Sequence, residues 1–243
     1  MPMRVSAVQV LLTITVWGCA AGSALAQVYP PPKPAEAIKK LGPNQFAIGS
    51  IRIDTEKREL SVPGTVNAVQ ILEFVACTKG GMKAYESAVT LDAYAINFNA
   101  ALLLLGLDPT HGRAPTRHFD PATPTGDPVE VWVEWDANGK HVRLPAEQLM
   151  YDRTTRQAVT GSSWLYTGSS FIPTEPGEPV RFMAEEDGVL IGFVHSPAPL
   201  IEQSGGSGVN KYGQIVMNPN LGLTPDMAIS LTVKALGPKS TKP

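Results

Sequence analysis

Apolar and polar residues alternate along much of this chain, a pattern that predicts β-strands with one buried face. Residues 51–54 and 60–62 alternate on either side of a polar turn and are predicted to form a hairpin. A second hairpin is predicted for residues 129–135 and 141–144, which flank the turn pair Asn138-Gly139. Further strands are predicted at 69–77, 85–91, 164–166, 181–183, 189–194, 214–216 and 229–233.

One segment has the pattern of a helix. Asp92 is placed to cap its start, Gly106 follows its end, and Pro109 lies beyond. The residues between them are apolar on almost every side, Leu103 included, which predicts burial between two layers. We therefore predict an α+β fold: an antiparallel-dominated sheet with one main apolar helix packed on it. A long loop with four prolines follows, residues 110–128, and loops of this length are often functional.

The first residues have the pattern of a secretion signal. Arg4 is followed by an apolar run and by the small-x-small site Ala24-Leu25-Ala26, after which signal peptidase would cut. The run is too short to span a membrane, which takes about 20 apolar residues. The alternatives are an uncleaved transmembrane anchor and a lipoprotein anchored through Cys19. We predict an extracytoplasmic protein, periplasmic or secreted, with no membrane span after the signal is removed.

Four parts are predicted along the chain. Residues 1–26 are the signal peptide, 27–40 a Pro-rich spacer, 41–236 one α+β domain, and 237–243 a disordered tail. Hydrophobic residues make up 43% of the chain, which is typical of globular proteins.

Charge and cysteine content exclude several functions. The formal net charge is −2, and the chain therefore has no positive excess with which to bind nucleic acid. Cys19 leaves with the signal peptide, so the remaining Cys77 can form no intrachain disulfide. It cannot hold an iron–sulfur cluster either, since that takes about four thiolates. Cys77 is predicted to be a small buried strand residue, and its reactivity stays open because a reactive thiol would need a neighbouring cation or histidine.

The loop after the helix contains the residues best suited to bind a metal. His111, His118 and Asp120 lie within ten residues, and imidazole and carboxylate are proper ligands for zinc or another divalent ion. Their spacing matches no compact ligand motif, however, and Arg113 and Arg117 would oppose a cation. The alternative is a solvated loop, so we predict no cofactor and keep a divalent metal as the exception.

The block from residue 49 to 109 carries a family resemblance. It reads GSIRIDTEKRELSVPGTVN, then LEFVACTKGGMKAYES, then LDAYAINFNAALLLLGLDP. This order resembles the YdjY-type domain, a family of secreted bacterial proteins, and the segments 164–169 and 187–191 extend the likeness. The resemblance implies an exported protein and no established activity.

The triplet Tyr85-Glu86-Ser87 marks that family and supplies the weak catalytic candidates. Glu86 is either a buried acid with a raised pKa, hence a site residue, or a structural acid. As a structural acid it would pair with Lys83 or Arg58, or accept backbone hydrogen bonds at a turn. Glu73 could approach it if the strands pair. We expect any functional surface where this triplet meets the loop that carries His118 and Asp120, because binding groups usually lie on loops held by a rigid scaffold.

The function favoured by these patterns is a non-enzymatic binding or structural module of the cell envelope, with an unknown protein or envelope component as its partner. Catalytic motifs of serine hydrolases, Gly-x-Ser-x-Gly and Ser-x-x-Lys, are absent from the sequence. The alternative is an enzyme or metal-binding protein that uses Glu86 and the loop from His111 to Asp120.

Overall fold

The structure, a computed structural model, describes residues 35–172, 180–209 and 211–237. These residues belong to one compact unit. The predicted signal peptide and Cys19 lie outside the described residues, as do residues 27–34 of the spacer and 238–243 of the tail. In the part of the chain that is described, no helix is both long and apolar enough to cross a bilayer.

The described elements are mainly strands. They are β1 (Ile38–Lys40), β2 (Gln45–Ile48), β3 (Ile51–Asp54), β4 (Glu59–Val66), β5 (Phe74–Thr78), β6 (Ser87–Leu91), β7 (Asp127–Ala137), β8 (Lys140–Pro145), β9 (Met150–Asp152), β10 (Gln157–Ala158), β11 (Trp164–Tyr166), β12 (Phe171–Ile172), β13 (Arg181–Phe182), β14 (Val189–Gly192), β15 (Ile201–Gln203), β16 (Ile215–Met217) and β17 (Ala228–Ala235). The α-helices are α1 (Ala95–Leu104) and α2 (Met183–Asp187), and 3₁₀ turns span Ala84–Glu86, Pro109–His111, Ala146–Leu149 and Pro219–Leu221.

Eight of these strands close into a barrel. Their order around it is β4-β17-β7-β11-β15-β14-β5-β6, and β6 pairs back with β4. The pairs β5–β6 and β14–β15 are parallel, and the other pairs in the barrel are antiparallel. Strands β3, β2 and β1 extend the sheet outward from β4, and β8 pairs with β7. The predicted α+β fold is therefore wrong: the protein is mostly β, with a mixed barrel.

Alternation along the strands explains the barrel interior. On β7, Val131 and Val133 are at most 2% exposed, and their register partners on β17, Val233 and Leu231, are fully buried. Partners in register point to the same side of a sheet. The apolar residues of neighbouring strands therefore meet inside the barrel, which gives the domain one continuous core.

Helix α1 lies at the barrel end where β11 finishes, instead of packing flat on an open sheet. Tyr166, the last residue of β11, donates its hydroxyl to Asn99 Oδ1 at 2.6 Å. The helix begins at Ala95 with Tyr94 as its cap, whereas Asp92, the predicted cap, pairs with Lys79 at 3.3 Å.

Only one side of α1 is buried, which corrects the prediction of burial on almost every side. Phe98 and Leu102 are fully buried, but Ile96 is 38% exposed and Leu103 is 44% exposed. The apolar pattern is too uniform to show which side faces solvent.

Both predicted hairpins are confirmed. Strands β3 and β4 pair antiparallel, as do β7 and β8. The strand predicted for 85–91 begins later, at Ser87, because residues 84–86 form a 3₁₀ turn. Strand β1, which lies within the predicted spacer, pairs with β2.

Candidate functional site

Parallel pairing of β5 and β6 brings together two acids that lie just before these strands. Phe74 and Ser87 are partners in register, so the preceding residues, Glu73 and Glu86, are also neighbours. The backbone N–H of Glu73 donates to the carbonyl oxygen of Glu86 at 2.9 Å. Both side chains are nearly buried, with 4% and 9% of each residue exposed.

Glu86 is paired with a cation. Its Oε1 lies 2.7 Å from Lys83 Nζ, in an ion pair whose angles fall short of a hydrogen bond. Burial by itself would lower the pKa of Lys83, but its contact with Glu86 and that carboxylate's charge outweigh burial and raise this pKa. The ammonium therefore stays charged and balances the charge of the Glu86 carboxylate.

The other two members of the triplet have different roles. Ser87 is fully buried and donates its hydroxyl to the carbonyl oxygen of Lys83 at 2.8 Å. That hydrogen bond holds the 3₁₀ turn and leaves no exposed hydroxyl for attack. Tyr85 is 64% exposed, and the Lys83 ammonium lies 5.7 Å from the centre of its ring.

Glu73 joins this turn to the long loop. Its Oε2 lies 3.2 Å from His118 Nε2, and the His118 ring contacts Phe119 at a centroid distance of 4.1 Å. Phe119 in turn meets Tyr212 edge to face at 6.3 Å, and Tyr212 is 68% exposed. We call this connected set the β5–β6 surface: Glu73, Lys83, Tyr85, Glu86, His118, Phe119 and Tyr212.

Asp120 shapes the loop instead of facing outward. Its carboxylate accepts hydrogen bonds from the backbone N–H of Ala122 and from both the N–H and the hydroxyl of Thr116. These bonds lower the pKa of Asp120 to about 2. The carbonyl oxygen of Asp120 lies 2.9 Å from Nδ1 of the buried His195, so this part of the loop is anchored to the chain after β14.

His111 lies apart from His118. Its Nδ1 is 2.7 Å from Asp127 Oδ1, at the first residue of β7, where β11 ends. Because β5 and β6 begin at the opposite end of the barrel, the two histidines of the loop contact different acids at different ends. Across residues 35–172, 180–209 and 211–237, no group of three or more His, Cys, Asp or Glu is arranged to hold a metal ion.

No sequence pattern points to two further acids, Asp187 and Glu202. Burial raises the pKa of Asp187, and the charges of Lys83 and His118 lower it in part. Glu202 on β15 is fully buried under the chain that links β14 to β15, and burial raises its pKa to about 8. Its Oε1 accepts the backbone N–H of Ser196 at 3.0 Å, so its evident role is to hold that connection.

The thiol of Cys77 lies inside the fold. Cys77 is fully buried on β5, and burial raises its pKa. Its Sγ is 3.3 Å from Thr90 Oγ1 and 3.9 Å from Asn67 Nδ2. A raised pKa disfavours the reactive thiolate.

The β5–β6 surface therefore combines charges that are already paired with aromatic side chains that are exposed. Such a surface can make contacts and hydrogen bonds, but it offers no activated nucleophile. In comparison with known proteins, the family model described as the YdjY domain fits residues 51–204. No curated protein and no solved structure matches the chain.

Proposed function

This chain belongs to the YdjY domain family, for which no biochemical function is established, and we propose that it is an exported, non-enzymatic module that binds a protein of the cell envelope. The single observation behind this proposal is the composition of the β5–β6 surface. Its acids are paired, while Tyr85 and Tyr212 are 64% and 68% exposed. Exposed tyrosines beside half-buried charges are typical of protein-binding surfaces.

The paired charges argue for binding over catalysis. A carboxyl group that acts as general acid or base must be within reach of its substrate and have a pKa near the working pH. Glu86 is held by Lys83, and Glu73 by His118. In a complex, these pairs would supply complementary charges at the rim, which set the orientation of a partner more than its affinity.

Neighbouring residues enlarge the exposed area. Met82 is 59% exposed and directly precedes Lys83. An unbranched thioether adapts to irregular partners. The net charge of −2 supports a protein partner over a nucleic acid.

Site-specific photo-crosslinking in cells of the organism of origin tests the partner. A benzoylphenylalanine at Tyr85 or at Tyr212 should form an adduct with the same envelope protein. Phe171, which is 62% exposed and outside this surface, is the matched control and should give no such adduct. Adducts that are absent at both tyrosines, or identical at all three positions, would contradict the proposal.

Export is tested separately. Cell fractionation should place the protein outside the cytoplasm, and N-terminal sequencing should find Gln27 first. A lipid-bearing start at Cys19 would replace secretion by anchoring, and a start at Met1 in the cytoplasm would refute export.

A further inference from the structure

His195 is buried in the chain that links β14 to β15, and both nitrogens of its ring face carbonyl oxygens. Its Nδ1 lies 2.9 Å from the carbonyl oxygen of Asp120 in the long loop. Its Nε2 lies 2.8 Å from the carbonyl oxygen of Gln203, the last residue of β15. The ring therefore bridges the loop to the barrel wall.

Both contacts are hydrogen bonds only when the ring carries two protons. A carbonyl oxygen accepts hydrogen bonds and cannot donate them, and a neutral imidazole has a single N–H. In the neutral ring, the other nitrogen would turn its lone pair toward a carbonyl oxygen at hydrogen-bond distance. The charged ring satisfies both oxygens, so the geometry around His195 fits the doubly protonated form.

The surroundings of the ring leave little room for water to replace a lost contact. Only 3% of His195 is exposed, and the turn after β15 packs directly on the ring, since a Cβ on Gly206 would lie 2.8 Å from Nε2. The backbone φ of His195 is 60°, a left-handed conformation that is uncommon for residues other than glycine. Such a conformation persists where the surrounding structure holds it, so weaker ring contacts would also loosen this link.

On the barrel side, one ionisable group accompanies the ring. Apart from His195, the link 193–200 contains no acidic or basic side chain, and the turn 204–208 contains none either. Glu202 on β15 accepts the backbone N–H of His195, and burial raises the pKa of Glu202 to about 8. This carboxyl group is therefore mainly neutral at acidic and neutral pH.

On the loop side, the ionisable groups are engaged with each other. The carboxylate of Asp120 has a pKa lowered to about 2 by its hydrogen bonds and by the charge of Arg117. Its negative charge is therefore constant at ordinary pH and favours a positive ring nearby. His118, two residues before Asp120, contacts Glu73 instead.

We propose that His195 is a pH-sensitive latch: the doubly protonated ring fastens the long loop to β15, and the neutral ring releases it. Imidazole side chains ordinarily change charge between about pH 5 and 8. Because the second ring hydrogen bond exists only in the charged form, the latch is closed in acid and opens as the pH rises. The loop carries His118 and Phe119, so an open latch would weaken binding at the β5–β6 surface. That consequence rests on the proposed function, whereas the latch itself does not.

Nuclear magnetic resonance of the full chain labelled with ¹⁵N-histidine tests the protonation of the ring. At about pH 5 both ring nitrogens of His195 should have the shift of an N–H, and at about pH 8 one should have the shift of an unprotonated nitrogen. The chain has four histidines, so substituting the other three in turn assigns the His195 signals even if His195→Gln does not fold. A ring that is neutral at the lower pH, or doubly protonated at the higher one, would overturn the proposal.

Amide hydrogen exchange tests whether the ring controls the loop. The backbone N–H groups of Thr116 and Ala122 donate to the Asp120 carboxylate and report on this part of the loop. After correction for the intrinsic effect of pH on exchange, their protection should fall about tenfold between about pH 5 and 8, as one buried hydrogen bond is lost. Protection that does not change with pH would contradict the latch.

Matched variants assign the pH dependence to one histidine. His195→Gln should have low protection of the loop amides at both pH values, because its side chain carries no titratable charge. His141→Gln, at an exposed position on β8, is the matched control and should keep the pH dependence of the parent protein. His118→Gln and Glu202→Gln should keep it too. A folded His195→Gln that keeps the pH dependence, or its loss in either of the last two variants, would refute His195 as the latch.

Discussion

The neighbouring leucines 102 and 103 offer a sharp test of where α1 meets the core. Leu102 is fully buried and Leu103 is 44% exposed. Replacing leucine by alanine removes about three carbon atoms, at about 0.8 kcal/mol for each buried methylene. For Leu102 this gives about 2.4 kcal/mol, and the cavity left behind brings the expected loss to about 2–5 kcal/mol. For Leu103, a large part of that surface already contacts water, so we expect a loss of about 1 kcal/mol.

Urea unfolding of the two variants measures the difference directly. The helix propensity change is the same at both positions and cancels. With a urea dependence of about 2 kcal/mol/M, Leu102→Ala should lower the midpoint by about 1 M more than Leu103→Ala does. Equal losses at the two positions would refute the placement of α1, and a larger loss for Leu103 would mean that the opposite side of the helix is buried.

Three further predictions concern the buried acid, the paired lysine and a close backbone contact. Burial raises the pKa of Glu202 from 4.5 to about 8. Between these two pH values, the folded chain therefore keeps a proton on Glu202 that the unfolded chain has lost. Stability should therefore fall as pH rises from about 4.5 to 8, and urea titrations across this range should show a smaller fall for Glu202→Gln. Lys83→Met should destabilise the fold by about 1–3 kcal/mol, since it removes the partner of the nearly buried Glu86 carboxylate. Lys79→Met is the control and should be nearly neutral, because Lys79 and Asp92 form an exposed ion pair. Similar losses for the two variants would contradict the half-buried ion pair of Lys83. A Cβ on Gly126 would lie 2.1 Å from the backbone oxygen of Tyr166, so Gly126→Ala should destabilise the fold by about 1–3 kcal/mol in thermal unfolding. A Cβ on Gly205 would have nothing within 4 Å, so Gly205→Ala should leave the unfolding midpoint unchanged.

Part of the β5–β6 surface could be predicted from the sequence. The expectation that the turn of Glu86 meets the loop of His118 agrees with the contacts through Glu73, which pairs with His118 and is hydrogen-bonded to Glu86. Glu86 was marked by the family triplet and His118 by its ligand chemistry within the long loop. Tyr212 could not be found in this way, since only the tertiary fold brings its distant segment against Phe119.

The grouping of His111, His118 and Asp120 shows the opposite case. They are close in sequence, but their side chains contact Asp127, Glu73 and the loop's own backbone, respectively. A loop of this length can run from one end of a barrel to the other. Within such a loop, residues that are close in sequence therefore need not be close in the structure.

Both hairpins followed from the sequence alone, as did strands such as β11 and β17, because burial of one face imposes a two-residue period and a turn pair such as Asn138-Gly139 fixes local pairing. Strands β2 and β15 were not predicted. The closure of the sheet did not follow. It depends on the pairing of β4 with β6 and on the parallel pairs β5–β6 and β14–β15. An inward-facing residue has the same alternating pattern in an open sheet as in a barrel, so periodicity cannot tell them apart. Tertiary structure also decided the gap in the wall beside β7, because β8 and β11, which are not consecutive strands, share one edge of β7 without meeting.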